Sequence, residues 1–225
     1  MGLAVMKKPT KARKVLKKPE ILGWKTSDAD ETELRRWRGR TEIANIEALE
    51  PELGPYGVFR VRSNTSGLYD VEIRDLTGRT NSCGCIDHRV NGLGTCKHIE
   101  GVLFALKKKL GARAFAAAAA KGSSRVEIFL RCDGDPVPSL GGPAAGAEAR
   151  AFLDPILGEG GALGSNWETL ARLLEAAAHA PADICISRHF GPWIERQRRL
   201  TSRERARETF LAAARAGGAG FDVAN

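Results

Sequence analysis

The chain has 225 residues, enough for one large or two small domains. Charged residues make up 28% and hydrophobic ones 43%, a globular mixture that excludes global disorder. A formal charge of +8 and a pI near 9.5 favour polyanionic partners.

Residues 1–20 read as a disordered basic arm. Lys7, Lys8, Lys11, Arg13, Lys14, Lys17 and Lys18 occur with no acid before Glu20, and Pro9 and Pro19 interrupt any helix. Such an arm attracts phosphates without reading sequence. Leu3–Met6 is too short an apolar core for a secretory signal, and no run of the chain is long and apolar enough for a membrane span. The expectation is a soluble cytoplasmic protein with no membrane partner. Ser27 or Asp28 caps a first helix, with Asp30 and Glu31 in its first turn and Leu34 and Trp37 facing inward. Trp24 and Trp37 read as core residues rather than base-stacking ones. A second short helix is predicted through Ile43, Ile46 and Leu49, ended by Pro51.

Val58–Arg62 and Leu68–Arg74 alternate apolar and polar around the turn-rich stretch 63–67, which predicts a hairpin. Phe59 and Val61 share one face with Tyr69, Val71 and Ile73. The other face sets Arg60 and Arg62 against Asp70 and Glu72, so its charges cancel. A third strand is expected from Thr80 into the segment Ser82–His98, SCGCIDHRVNGLGTCKH.

That segment carries Cys83-Gly-Cys85, ten residues, then Cys96-Lys-His98. Thiolate and imidazole are the ligands zinc prefers, and four of them complete a tetrahedral structural site with no open position for a catalytic water. Two sulfurs on one zinc lie about 3.8 Å apart, whereas i and i+2 of a flat strand lie about 6.6 Å apart, so the chain must turn at Gly84. In a helix, i and i+2 diverge, which places Cys96 in the loop and His98 in the first turn of the helix that follows. Ile99, Val102, Leu103 and Leu106 give that helix its apolar stripe. His88 and Asp87 compete as ligands, and a Cys83/Cys85/His88/Cys96 set is also chemically acceptable. Arg89, Lys97 and the loop Asn91–Gly94 lie beside the motif as natural contact points for a partner.

The Cys-x-Cys…Cys-x-His arrangement between a strand pair and an amphipathic helix resembles the SWIM zinc finger. YDVEIRDLTGRTNSCGC, NGLGTCKHIEGVL, GPYGVFRVRS and SRHFGPWIE resemble the region ahead of the motor in bacterial Swi/Snf-type helicases. The resemblance covers most of the chain beyond residue 20. It implies one structural zinc held by Cys83, Cys85, Cys96 and His98, with His88 a bystander, and a module that binds DNA or protein.

Further on, Lys107–Lys109 suit the C-terminal end of a helix dipole. Ala112–Ala120 predicts another helix ending at Gly122, and Val126, Ile128 and Leu130 a strand that joins the hairpin's sheet. Residues 134–147, with Pro136, Pro138 and Pro143, read as a linker between a zinc module at 21–133 and a mostly helical accessory part at 148–225. There, Ser165-x-x-Glu168 and Thr201-x-x-Glu204 each read as a helix start, with a short strand near 183–187 and an aromatic knot at His189–Trp193. The arginines between Arg196 and Arg207 are diluted by glutamates and read as a solvated helix face. Cys132 and Cys185 read as buried free thiols of a reducing compartment, and His179 and His189 as surface or packing residues.

The fold class expected is α+β: a small antiparallel sheet with a zinc-clamped ββα SWIM module, followed by a mostly helical part. The chain lacks a phosphate loop, a helicase carboxylate motif and the zinc-deaminase signature, so a non-enzymatic role is expected, like an accessory region without its ATPase. Two functions follow: binding of nucleic acid, chiefly DNA, with weak sequence preference, or docking onto a Swi/Snf-type ATPase or another protein.

Overall fold

The structure is a computed structural model that describes residues 16–20, 23, 26–158, 163, 164 and 166–216. It is α+β, with two sheets, each packed against helices, and a helical C-terminal part. Helix α1 (Asp28–Thr41) begins at Ser27, whose hydroxyl accepts from the Asp30 amide while the Asp30 carboxylate accepts from the Ser27 amide. Strands β1 (Ile43–Ala48), β2 (Gly57–Ser63), β3 (Leu68–Ile73) and β4 (Ser82–Cys83) form an antiparallel sheet in sequence order. The hairpin register sets Arg60 opposite Asp70, and their side chains meet at 3.3 Å.

The helix predicted through Ile43 and Ile46 is instead strand β1. Its two isoleucines are three residues apart, a helical interval, yet both are half-buried against the core. A bulge between Ile43 and Asn45 shifts the register by one residue and brings both side chains to the same face. Pairing with the free edge of β2 thus overrides a local pattern that reads as helical.

After β4, a one-turn helix α2 (Ile86–Val90) leads through a loop to α3 (Lys97–Leu110), which is followed by α4 (Ala112–Lys121). The first core lies between the sheet and α3: Phe59, Val61, Val71 and Ile73 face Ile99, Val102 and Leu106. Helix α1 crosses the outside of α3. Its most buried residues are Thr32 and Gly39, while Leu34 and Trp37, expected to face inward, are half-buried. Gly39 is there because a Cβ would sit 2.6 Å from the Gly101 amide nitrogen and 2.7 Å from the Lys97 carbonyl oxygen. Backbone meets backbone at this crossing, so no side-chain rotation can relieve a methyl group.

Strand β5 (Val126–Arg131) does not join the first sheet, because β4 already occupies the edge of β3. It pairs antiparallel with β6 (Val137–Gly141) and parallel with β7 (Ile184–Ile186). Strand β6 lies inside the stretch read as a linker. Its Pro138 is tolerated because β6 is an edge strand. Helices α5 (Ala147–Leu153), α6 (Trp167–Ala176) and α7 (Phe190–Ala216) cover this sheet through Leu153, Leu170, Leu173, Phe190 and Ile194. The α6 cap is Asn166, whose side chain accepts from the Glu168 amide at 2.9 Å; Ser165 lies outside the described residues. Thr201 opens no helix but sits inside α7, which starts at Phe190. Pro192 is accommodated in the first turn, where amides lack intrahelical acceptors.

Arg74 joins the two sheets. Its buried guanidinium pairs with Glu72, donates to Glu127 Oε2 at 3.2 Å and to Ser82 Oγ at 2.8 Å, and lies over the Phe129 ring. Glu72 also accepts from Ser187 Oγ at 2.6 Å and from the Arg188 amide at 2.8 Å. Burial opposes ionisation of Glu72, but Arg74, His189 and these two donors outweigh it and hold its carboxyl below the usual range. Glu72 is therefore an internal tie rather than a surface charge cancelling Arg62. Among the described residues no helix is long and apolar enough to cross a membrane.

The α1–α3 crossing gives a direct test. Gly39→Ala is expected to lower unfolding free energy by about 1–3 kcal/mol through overpacking, measured by urea denaturation. Gly146→Ala, where a Cβ meets nothing within 4 Å, is expected to stay within about 0.5 kcal/mol of the parent.

Candidate metal centre

Three elements deliver one residue set. Cys83 ends β4, Cys85 is the N-cap of α2, Cys96 is the N-cap of α3, and His98 lies in the first turn of α3. Both cap residues have extended backbone, which frees their side chains from the helix direction. The turn at Gly84 does not use left-handed backbone. Gly84 is small because His189 packs on it, with Cε1 3.2 Å from where a Cβ would stand. The positive φ falls instead at Gly92 (65°) and Gly94 (64°), which fold the loop back to bring Cys96 to Cys83.

One ligand atom from each of the four residues lies within 4.8 Å of all the others, and the four side chains are 0–4% exposed. His98 Nδ1 stands 3.7 Å from Cys83 Sγ and 3.9 Å from Cys96 Sγ. A tetrahedral zinc with ordinary bond lengths requires an N···S edge of about 3.6 Å, so the spacing suits such an ion. The donor set also explains itself poorly without a cation. Contact with Cys85 pushes the Cys83 thiol up, burial pushes Cys96 up, and Cys85, accepting from Cys83 and then Cys96, is pulled down. The four residues could hold a metal ion, and they are the combination that closed structural sites use.

Beyond the Nδ1 contacts with the sulfurs, His98 is oriented by ring stacking. The Tyr69 ring lies 4.2 Å from the imidazole at an interplanar angle of 30°, while Nε2 is buried with no partner among the described residues. Tyr69 sits on the hairpin's inner face, and its part in the site was not legible from the sequence. His88, the competing ligand, is buried outside the set, with Nε2 3.1 Å from the Asn81 carbonyl oxygen. Asp87 is bound to Arg35 at 2.7 Å. Cys132 is buried and Cys185 half-buried, both as free thiols, and burial pushes Cys185 up to about 12.

No family model, curated protein or solved structure matches this chain.

The cations singled out for nucleic acid are not brought together. Lys7, Lys8, Lys11, Arg13 and Lys14 lie outside the described residues, as does Trp24. Lys17 and Lys18 are exposed, and Lys17 pairs with Glu20 at 2.7 Å. Lys97 is engaged with Glu42 at 2.7 Å and is mostly buried, which makes it a tie between α3 and the end of α1 rather than a free contact. Arg89 is exposed on α2 with no acidic partner among the described residues.

Two measurements check this centre. Purified protein is expected to carry one metal ion per chain by elemental analysis, and Cys96→Ser to lose it together with cooperative unfolding of the module. Tyr69→Ala keeps all four donors but frees the imidazole, and should weaken metal affinity about 10-fold or more in chelator competition.

Proposed function

We propose that this chain is a SWIM-type zinc module that binds nucleic acid with little sequence preference, without catalysing a reaction on it. The metal half of the reading is carried by the buried Cys83/Cys85/Cys96/His98 set, whose donors suit one tetrahedral zinc. Four protein donors leave such an ion no open position, which supports a structural rather than catalytic part. The nucleic-acid half is supported by the +8 charge and by the exposed Arg89, Arg196, Arg199, Arg203 and Arg207, for which no acidic partner occurs among the described residues. The resemblance to the region ahead of a Swi/Snf-type motor points the same way.

A second reading rests on one specific observation. Ile86 and Val90, four residues apart on α2 beside the metal centre, are 69% and 71% exposed. An apolar pair at a helical interval on a small rigid knuckle suits a protein partner, such as a helicase motor.

The deciding experiment is the affinity of the whole chain for random-sequence nucleic acid, duplex and single-stranded, across a salt series. Binding at about micromolar or tighter, falling steeply with salt and weakened by removal of residues 1–19 or of the metal, is the expected outcome. No binding near physiological salt sets this reading aside in favour of the protein partner.

A further inference from the structure

A groove of about 440 Å³ runs between α1, α3 and the loop after β3, away from the metal-centre cations that the sequence singled out. Its walls carry Arg36 and Arg40 from α1, Arg79 from the loop, and Lys107 from α3. Two carboxylates, Glu33 and Glu100, share the wall, and both are drawn to Arg36 at 3.4 Å. That leaves Arg40, Arg79 and Lys107 exposed, with no acidic partner among the described residues. Phe104 also lines the groove, 41% exposed, with the Arg40 guanidinium 5.3 Å from its ring centre.

The floor adds an independent observation. Thr32 is 4% exposed and lines this groove, yet its Oγ1 has no hydrogen-bond partner among the described residues. A buried hydroxyl is ordinarily satisfied, and an orphan beneath a cationic recess asks for an acceptor oxygen.

We infer that the α1–α3 groove binds a single-stranded phosphodiester chain, with phosphates held by Arg40, Arg79 and Lys107, a phosphate oxygen accepting from Thr32, and a base packed on Phe104. This rests on the nucleic-acid reading above and names its contact surface. The choice of a single strand follows from dimensions and chemistry. A recess of this volume is the size of a small-ligand site and does not admit a duplex. Single strands are held by a cationic groove with an aromatic platform, because every base has a face to stack. Contact through backbone and stacking alone would bind with little sequence preference.

The test uses the full chain with metal bound, labelled oligothymidylate, labelled oligouridylate and a random duplex, by fluorescence anisotropy across a salt series. The unsubstituted protein is expected to bind at least one single strand more tightly than the duplex, and the two labels distinguish DNA from RNA as its source. Arg40→Gln/Lys107→Gln, both on exposed side chains, should weaken strand binding about 10-fold and flatten the salt slope by about 1.4. Thr32→Val should weaken it about threefold while leaving the free protein at least as stable, since it removes an unsatisfied hydroxyl. Arg150→Gln/Arg172→Gln, on α5 and α6, should leave it unchanged. Strand binding that survives the Arg40/Lys107 double substitution, or tighter binding to duplex than to either strand, overturns the groove and leaves the broader reading standing. Binding to none of the three probes overturns both.

Discussion

Three thiols and one imidazole, buried within a few ångströms of one another, are the constraint on which the N-terminal half depends. Such a set is unfavourable as bare thiolate, because burial resists charge and, among the described residues, only two backbone amides and one imidazole nitrogen reach the three sulfurs. It becomes favourable around a cation that accepts four donors. The surrounding fold is arranged to bring those donors together. Strand β4 is only two residues long, α2 is one turn, and both exist mainly to carry Cys83 and Cys85 to the start of α3. Elements this short hold little apolar surface of their own, so they depend on ties to neighbours: pairing of β4 with β3, the Arg35–Asp87 ion pair and the shared donor cluster.

Around that centre the molecule is tied by contacts of two kinds. On one side α1 lies against α3 at backbone distance through Gly39 and Gly101, and the Glu42–Lys97 pair closes the end of that crossing. On the other side the Arg74–Glu72–Glu127 cluster, with Ser187 and the Arg188 amide, joins the first sheet to the second. The second tie is a buried ionic network in which each charge has several partners, the condition under which such a network holds geometry rather than opening it. The α1–α3 crossing also forms two walls of the cationic groove, so the same close approach that packs the helices shapes the surface proposed for a nucleic-acid strand.

The contrast between β1 and the metal motif shows what a sequence pattern can carry. Cysteine and histidine spacing is read without knowing the fold, because the ion's geometry limits how the chain turns between donors. The interval between Ile43 and Ile46 is shared by a helix and by a bulged strand, and only the neighbouring β2 edge selects between these. In the same way β6 hides among prolines that read as linker, and the sheet that β5 joins is not written in its own residues, because strand order depends on which edge is already occupied.

The sequence by itself determined the cysteines and histidines from which a donor set is drawn, the pairing of Arg60 with Asp70 across the hairpin, the helix that carries His98 in its first turn, and the excess of positive charge. Each of these depends on neighbours close in the chain or on the chemistry of a residue type. Tertiary structure alone decided that the imidazole meets the sulfurs through Nδ1 under Tyr69 and that Lys97 is spent on Glu42. It also decided that Thr32, Arg40, Arg79, Phe104 and Lys107 line one groove. Those partners are separated by up to 75 positions in the chain, from Thr32 to Lys107, and no local propensity encodes which distant surfaces will meet.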